Sequence, residues 1–256
     1  MNKRVFIAIA DVFGIGVIPG GGDVRQSTIK RIYDTGKLNV PGMRGLGLFN
    51  LDCIGFGRRS CLVSGAFGKC TPLYGGDDDG SFYDELFCAS DGVDMLDLIK
   101  SAGYEAVCIG GAAAIRGAPG PQSEKDVMLK LIAALKSGSG GVYVAGVPLC
   151  RESEEPIDVC RSLNFFDKRI GQITQILRPS DILIVTALHG LKNEGGYAAE
   201  YVPLLVCGKP VKGANPLDFE ITHADVGATV LEYFNVANTL RGKSFLGRII
   251  KQDKIH

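Results

Sequence analysis

The stretch MNKRVFIAIADVFGIG, residues 1–16, decides the fold. Val5 to Ala10 is an unbroken apolar run with β-branched residues at every second position. It does not alternate with polar residues, as befits a strand covered on both faces of a parallel sheet. Asp11 ends the run. A carboxylate there stands at the C-terminal edge of a central strand, where open α/β folds gather their ligands and chemistry. Gly14 and Gly16 let the backbone turn close to whatever Asp11 holds. The same aspartate can equally cap a loop or a helix start, and the rest of the chain decides between the two roles.

Working outward, the unalternating apolar pattern returns at 104–109, 142–147 and 182–187, so these three stretches and 5–10 are read as the central strands. YVPLLVCG, 201–208, is a further strand. Between them, apolar residues at helical spacing predict helices near 26–36, 93–103, 124–136, 157–177 and 224–234. Strands alternating with helices of this length give a three-layer α/β/α sandwich with a mostly parallel sheet. GLGLFNL, 45–51, reads as a loop and short strand, and residues 55–90 are the least regular part. Their acidic run Asp77-Asp78-Asp79-Gly80 reads as a solvated loop. No repeat and no long linker divides the chain, so residues 1–256 form one domain.

Composition narrows the function. The 28 basic and 28 acidic residues cancel, which gives neither nucleic acid nor a membrane surface a basic patch to hold. The N-terminal apolar run is too short for a signal peptide, and no 18-residue apolar stretch exists, so a soluble, cytoplasmic protein is expected. Eight cysteines contain no CxxC pair and match no zinc module; they read as reduced thiols, with Cys108 and Cys207 inside strand-like runs. GIGVIPGGG, 14–22, lacks the Gly-Lys-Ser/Thr of a phosphate loop and the register of GxGxxG, which argues against a nucleotide site.

Several segments in order resemble bacterial phosphopentomutases of the alkaline phosphatase superfamily. They are RVFIAIADVFGIGVIPGGGDV, TIKRIYDTGKLNVPGMRGLGLFNL, LDLIKSAGYEAVCIGGAAAI, FFDKRIGQITQIL with DILIVTALHG, AAEYVPLLVCG, and HADVGATVLEYFNV with GKSFL. The resemblance implies an alkaline phosphatase-like core that isomerises ribose 1-phosphate and ribose 5-phosphate with two manganese ions and a phosphorylated threonine. It places a metal-binding aspartate at Asp11, the phospho-acceptor at Thr71 in GAFGKCT, and the histidine of an Asp-His pair at His189 in TALHG.

The departures are as informative as the matches. Leu188 takes the place of the aspartate before His189, Tyr197 that of a ligand histidine, and Cys70 that of the Asp before Thr71. VYVAGVPLCRESEEP, 142–156, carries no aspartate at its strand end and no histidine. The cap domain implied between Thr71 and Val93 shrinks to residues 72–92, expected as an irregular connection over the sheet's C-terminal edge. An apolar rim exposed there would offer a homo-oligomer contact. A manganese pair needs bridging carboxylates, so Asp11 and His189 alone should hold at most one divalent ion, weakly. The chain therefore reads as a degenerate phosphopentomutase-like protein, non-catalytic, with a binding or subunit role. The alternative is a metal-dependent phosphohydrolase or phosphotransferase using Asp11, Thr71 and His189 on a small phosphorylated substrate; an active mutase comes third.

Overall fold

A computed structural model describes residues 3–19, 27–72, 79–87, 92–118, 123–149, 155–193, 196–197 and 200–251, without the side chains of 79–81, 192–193 and 196–197. In chain order the elements are β1 (Arg4–Val12), β2 (Gly16–Val17), α1 (Thr28–Asp34), α2 (Pro41–Gly45), a 3-10 turn (Leu48–Asn50), β3 (Ala66–Thr71) and α3 (Asp79–Phe87). Then come α4 (Met95–Ser101), β4 (Glu105–Gly110), α5 (Gly111–Ala114), α6 (Glu124–Ser137), β5 (Gly141–Val147), α7 (Pro156–Ile176) and β6 (Asp181–His189). The chain closes with β7 (Lys192–Asn193), β8 (Gly196–Tyr197), β9 (Glu200–Cys207), β10 (Asn215–Thr222), α8 (His223–Tyr233) and α9 (Leu246–Ile249).

The main sheet runs β10-β3-β9-β6-β1-β5-β4, with the short β2 beside β9. Only β9 and β2 run antiparallel to their neighbours; the other pairings are parallel. One face carries α1, α2, α6 and α7, and the other α3, α4 and α8, giving the three layers anticipated from the alternating pattern. Local chemistry sets the helix starts. Ser123 accepts from the Asp126 amide, and reciprocal capping boxes open α4 (Asp94 with Asp97) and α8 (Thr222 with Asp225).

Strands β1, β5 and β6 are buried along almost their whole length, as unalternating runs require. The run at 104–109 forms β4, but at the sheet's edge rather than its centre, with Glu105 exposed and Ala106–Cys108 half-buried. Its half-buried Ala106, Val107 and Cys108 make a pattern too apolar to betray the open side. Two strands lie where the sequence shows no strand signal. β3 contains Gly68 and Lys69, and β10 contains Pro216 and two acids, all poor strand formers tolerated here by tertiary pairing. The expected short strand in 45–51 is instead the 3-10 turn.

The connection 72–92 is also more regular than its glycines and acids suggest. Residues 79–87 form helix α3, which buries Phe82, Tyr83, Leu86 and Phe87 against α8 and the sheet. An apolar rim there is thus covered by the chain's own helix. Asp77 and Asp78, with Cys88, Cys150 and the 150–154 part of the CRESEEP segment, lie outside the described residues. The six described cysteines are free thiols. Burial pushes Cys53 and Cys108 up to about 11 and Cys207 to about 12, so they stay protonated and inert. No described helix is long and apolar enough to cross a membrane.

At the N-terminal edge, Arg4 and Asp181 start the two central strands side by side and are fully buried. Arg4 Nε and Nη2 donate to Asp181 Oδ1 and Oδ2 at 2.9 and 2.6 Å. Arg4 Nη1 also donates to the Leu135 and Gly138 carbonyls at 2.9 and 3.2 Å, and Asp181 accepts from the Arg178 amide at 2.7 Å. Removing one partner strands a charge in the interior. Asp181→Asn should therefore cost about 3–5 kcal/mol in urea denaturation, whereas an Arg4→Met/Asp181→Leu pair should cost far less; similar losses for both would refute this account of the pair.

Candidate functional site

The parallel strands end together on one edge, and the register there places the predicted residues. Ala10 lies beside Ala187 and Val12 beside His189, which sets Asp11 against Leu188. Asp11 Oδ1 accepts from the Leu149 amide at 2.7 Å and from the Val12 amide at 2.9 Å, tying the ends of β1 and β5. Leu188, in register with it, is 1% exposed. His189 is buried, with Nδ1 2.8 Å from the Gly190 carbonyl and its ring 5.3 Å from that of Phe82 on α3. Adjacent strands thus bring Asp11 and His189 to neighbouring strand ends, one pleat position out of step.

Thr71 ends β3 beside Thr222 of β10, with β9 lying between β3 and β6. That separation amounts to two strand spacings, about 10 Å across the sheet. Thr71 is half-buried and lines a cavity of about 500 Å³ over β3, β9 and β10 together with Lys69. Tyr197 belongs to the two-residue strand β8, and its side chain lies outside the described residues, as does His256. His223, the remaining histidine, is fully buried at the start of α8: Nε2 is 2.9 Å from the Ala187 carbonyl, and its amide donates to Glu85 at 3.1 Å.

Sequence reasoning missed one buried, multiply bonded carboxylate on this edge. Glu200, the first residue of β9, is buried; its oxygens accept from the Thr28 amide at 2.9 and 3.0 Å and from the Thr28 hydroxyl at 2.7 Å. The Thr28 hydroxyl in turn accepts from the Leu191 amide at 2.7 Å. This network joins β9, α1 and the end of β6. It also explains Gly14 and Gly190, since a Cβ at either would stand 2.3 or 2.4 Å from a Glu200 oxygen. The only signal was an acid directly before an apolar strand, which alone does not announce burial. Burial is the largest influence on Glu200 and lifts its pKa above the ordinary 4.5, with the Thr28 hydroxyl and amide opposing.

Among the described residues this edge does not gather the donors that two manganese ions, as the resemblance implies, would need. The position paired with Asp11 carries an apolar branch sealed in the core, and Asp11 Oδ1 is already engaged by two amides. Among the described residues no three of His, Cys, Asp or Glu gather as a metal-binding group. The carboxylates of this edge hold strand and helix ends through carboxylate–amide hydrogen bonds, which are charge-assisted and strong for their kind.

Comparison with known proteins supplies the relatives. The family model for the Metalloenzyme superfamily matches residues 121–238. A phosphopentomutase of Desulfitobacterium hafniense is 29% identical over 169 residues, covering 61% of this chain and 44% of the relative. One of Acetivibrio thermocellus is 42% identical over 92 residues, covering 35% of this chain and 24% of the relative. The chain therefore spans less than half the length of either relative. Among solved structures, the phosphonate monoester hydrolase SpPMH from Silicibacter pomeroyi shares the fold with a TM-score of 0.59 at 12% identity, over 99% of this chain and 78% of that one.

The Glu200 network makes a pH prediction. A raised folded-state pKa means the folded chain binds the proton more tightly than the unfolded chain, so this residue's contribution to stability grows as pH falls from neutral toward 4.5. The stability difference between wild type and Glu200→Gln, measured by denaturation at several pH values, should shift in favour of the wild type over that descent. A difference that stays flat, or moves the other way, rules the account out.

Proposed function

We propose that this chain, phosphopentomutase-like in sequence and built on an alkaline phosphatase-like core, is a non-catalytic relative with a binding or subunit role. The observation that carries the reading is Leu188, buried and in register with Asp11, where the resemblance implies a metal ligand. An apolar side chain there cannot offset the charge of two divalent ions, and a dinuclear phosphotransfer site depends on such bridging carboxylates. The phospho-acceptor position Thr71 lies across β9 from the Asp11–His189 pair, which supports the same reading. So does the 72–92 connection, whose described part is a nine-residue helix packed on α8 rather than a domain able to enclose a sugar phosphate.

One observation favours a second reading, a reduced phosphohydrolase or phosphotransferase: Thr71 reaches a cavity that also presents Lys69. Lys69, however, is held by both oxygens of Asp52 at 2.9 Å, which spends its charge. Assays separate the two readings. The purified protein should neither interconvert ribose 1-phosphate and ribose 5-phosphate nor hydrolyse p-nitrophenyl phosphate above background with added manganese. Calorimetry should find at most one weakly held manganese ion, and Leu188→Asp with Tyr197→His should tighten it by about tenfold or more without creating mutase activity. Two tightly bound manganese ions in the unmodified protein, or manganese-dependent turnover lost in Thr71→Ala, would overturn the non-catalytic reading.

A further inference from the structure

The loop between the 3-10 turn and β3 is built to project. Asn50 pins it: its side-chain amide donates to the Ser60 carbonyl at 3.1 Å and its Oδ1 accepts from the Ser60 amide at 2.9 Å. The Ser60 hydroxyl donates to the Leu62 carbonyl at 2.8 Å, and Ile54 and Val63 bury the loop's two ends. The side chains this bracket presents to solvent include Arg58, Arg59, Cys61 and Leu62. Leu62 is 88% exposed, far more than any other large apolar side chain described.

Beside the loop opens the cavity of about 500 Å³, and Asn50 lines it too. Its floor is apolar and aromatic, with Phe67 and with Tyr201, whose ring lies 4.8 Å beneath the Lys69 ammonium. Its outer wall carries Asp218 and Glu220, two exposed acids on the edge strand β10. Lys69, the one cation among the described residues lining the cavity, is matched by Asp52. Among the described residues neither Asp218 nor Glu220 has an ion-pair partner, and neither do Arg58 and Arg59. A preformed loop bearing two unmatched cations around an exposed leucine thus stands next to an aromatic-floored groove bearing two unmatched acids, and the two do not meet within one chain.

We propose that the groove receives the 58–62 loop of a second copy of this chain. Because Asn50 belongs to both the loop's anchor and the groove's wall, a two-fold axis passing beside it sends each loop into the other copy's groove, and the contact closes at two. Leu62 fills the aromatic floor, and Arg58 and Arg59 meet Asp218 and Glu220 at the rim. The preformed loop keeps the ordering cost of association low, and the rim charges make association sensitive to salt. The contact uses neither Asp11 nor His189 and stands whether or not the core retains chemistry.

Sedimentation velocity over a concentration series tests it. The protein should show a reversible monomer–dimer equilibrium that weakens with added sodium chloride. Arg58→Glu/Arg59→Glu and Asp218→Arg/Glu220→Arg should each weaken dimerisation at least tenfold, with far-UV circular dichroism unchanged because all four residues are exposed. Mixing the two variants should restore a dimer, since every loop then meets a groove of opposite charge; Leu62→Ser should weaken the dimer without altering its salt dependence. A protein that stays monomeric at high concentration and low salt, charge variants that associate as the wild type does, or a mixture no tighter than its components would each overturn the proposal.

Discussion

The structure depends on one buried ion pair, Arg4 with Asp181. Two full charges sit in the interior, and their desolvation is tolerable only because every polar contact is answered: the guanidinium forks onto both carboxylate oxygens and reaches two carbonyls at the C-terminal end of α6, while the carboxylate also takes the Arg178 amide. Such a pair has one satisfactory alignment. It ties β1, β6, the end of α6 and the turn before β6 at a single point. With Arg4 opposite Asp181, each later residue of β1 finds its partner by counting, and at the other edge Asp11 finds Leu188. A slip of one residue would turn the buried face outward along the whole strand. The register at one edge thus dictates the chemistry available at the other.

At that other edge, two carboxylates hold strand and helix ends. Asp11 binds the amides of Val12 and Leu149, and Glu200 binds the amide and hydroxyl of Thr28. Both satisfy strand- and helix-terminal N–H groups that would otherwise need water or another acceptor. Gly14 and Gly190 are glycines because Glu200 leaves no room for a Cβ at either position. Helix α3 completes the cover by laying Phe82 against His189 and burying its own apolar side. Among the described residues, packing and hydrogen bonds thus surround Leu188 at this edge, while Asp11 beside it stays half-buried.

The open cavity lies elsewhere, over β3, β9 and β10, where the 3-10 turn with its following loop forms one wall. Thr71 belongs to this surface by its side chain and to the strand-end row by its backbone. Lys69 and Tyr201 line the same cavity as Thr71, and Asp11 does not.

The sequence by itself determined the layer architecture, because strands buried on both faces must be unbroken apolar runs and Val5–Ala10, Val142–Val147 and Ile182–Ala187 are such runs. It also determined that Asp11 and His189 end strands, since a polar residue terminating an apolar run marks the sheet's edge. Tertiary structure alone decided which strand stands at the rim, as with β4, because order in a sheet depends on non-local pairing that no local pattern encodes. It decided that AFGKCT and NPLDFEIT are strands, against their own propensities, by supplying neighbours for their hydrogen bonds. It made a helix of DGSFYDELF by giving four apolar side chains a surface to cover. And it buried Glu200, whose role exists only where β9, α1 and β6 converge: a carboxylate's partners are set by which chain ends meet in space, and that is not written in the residues beside it.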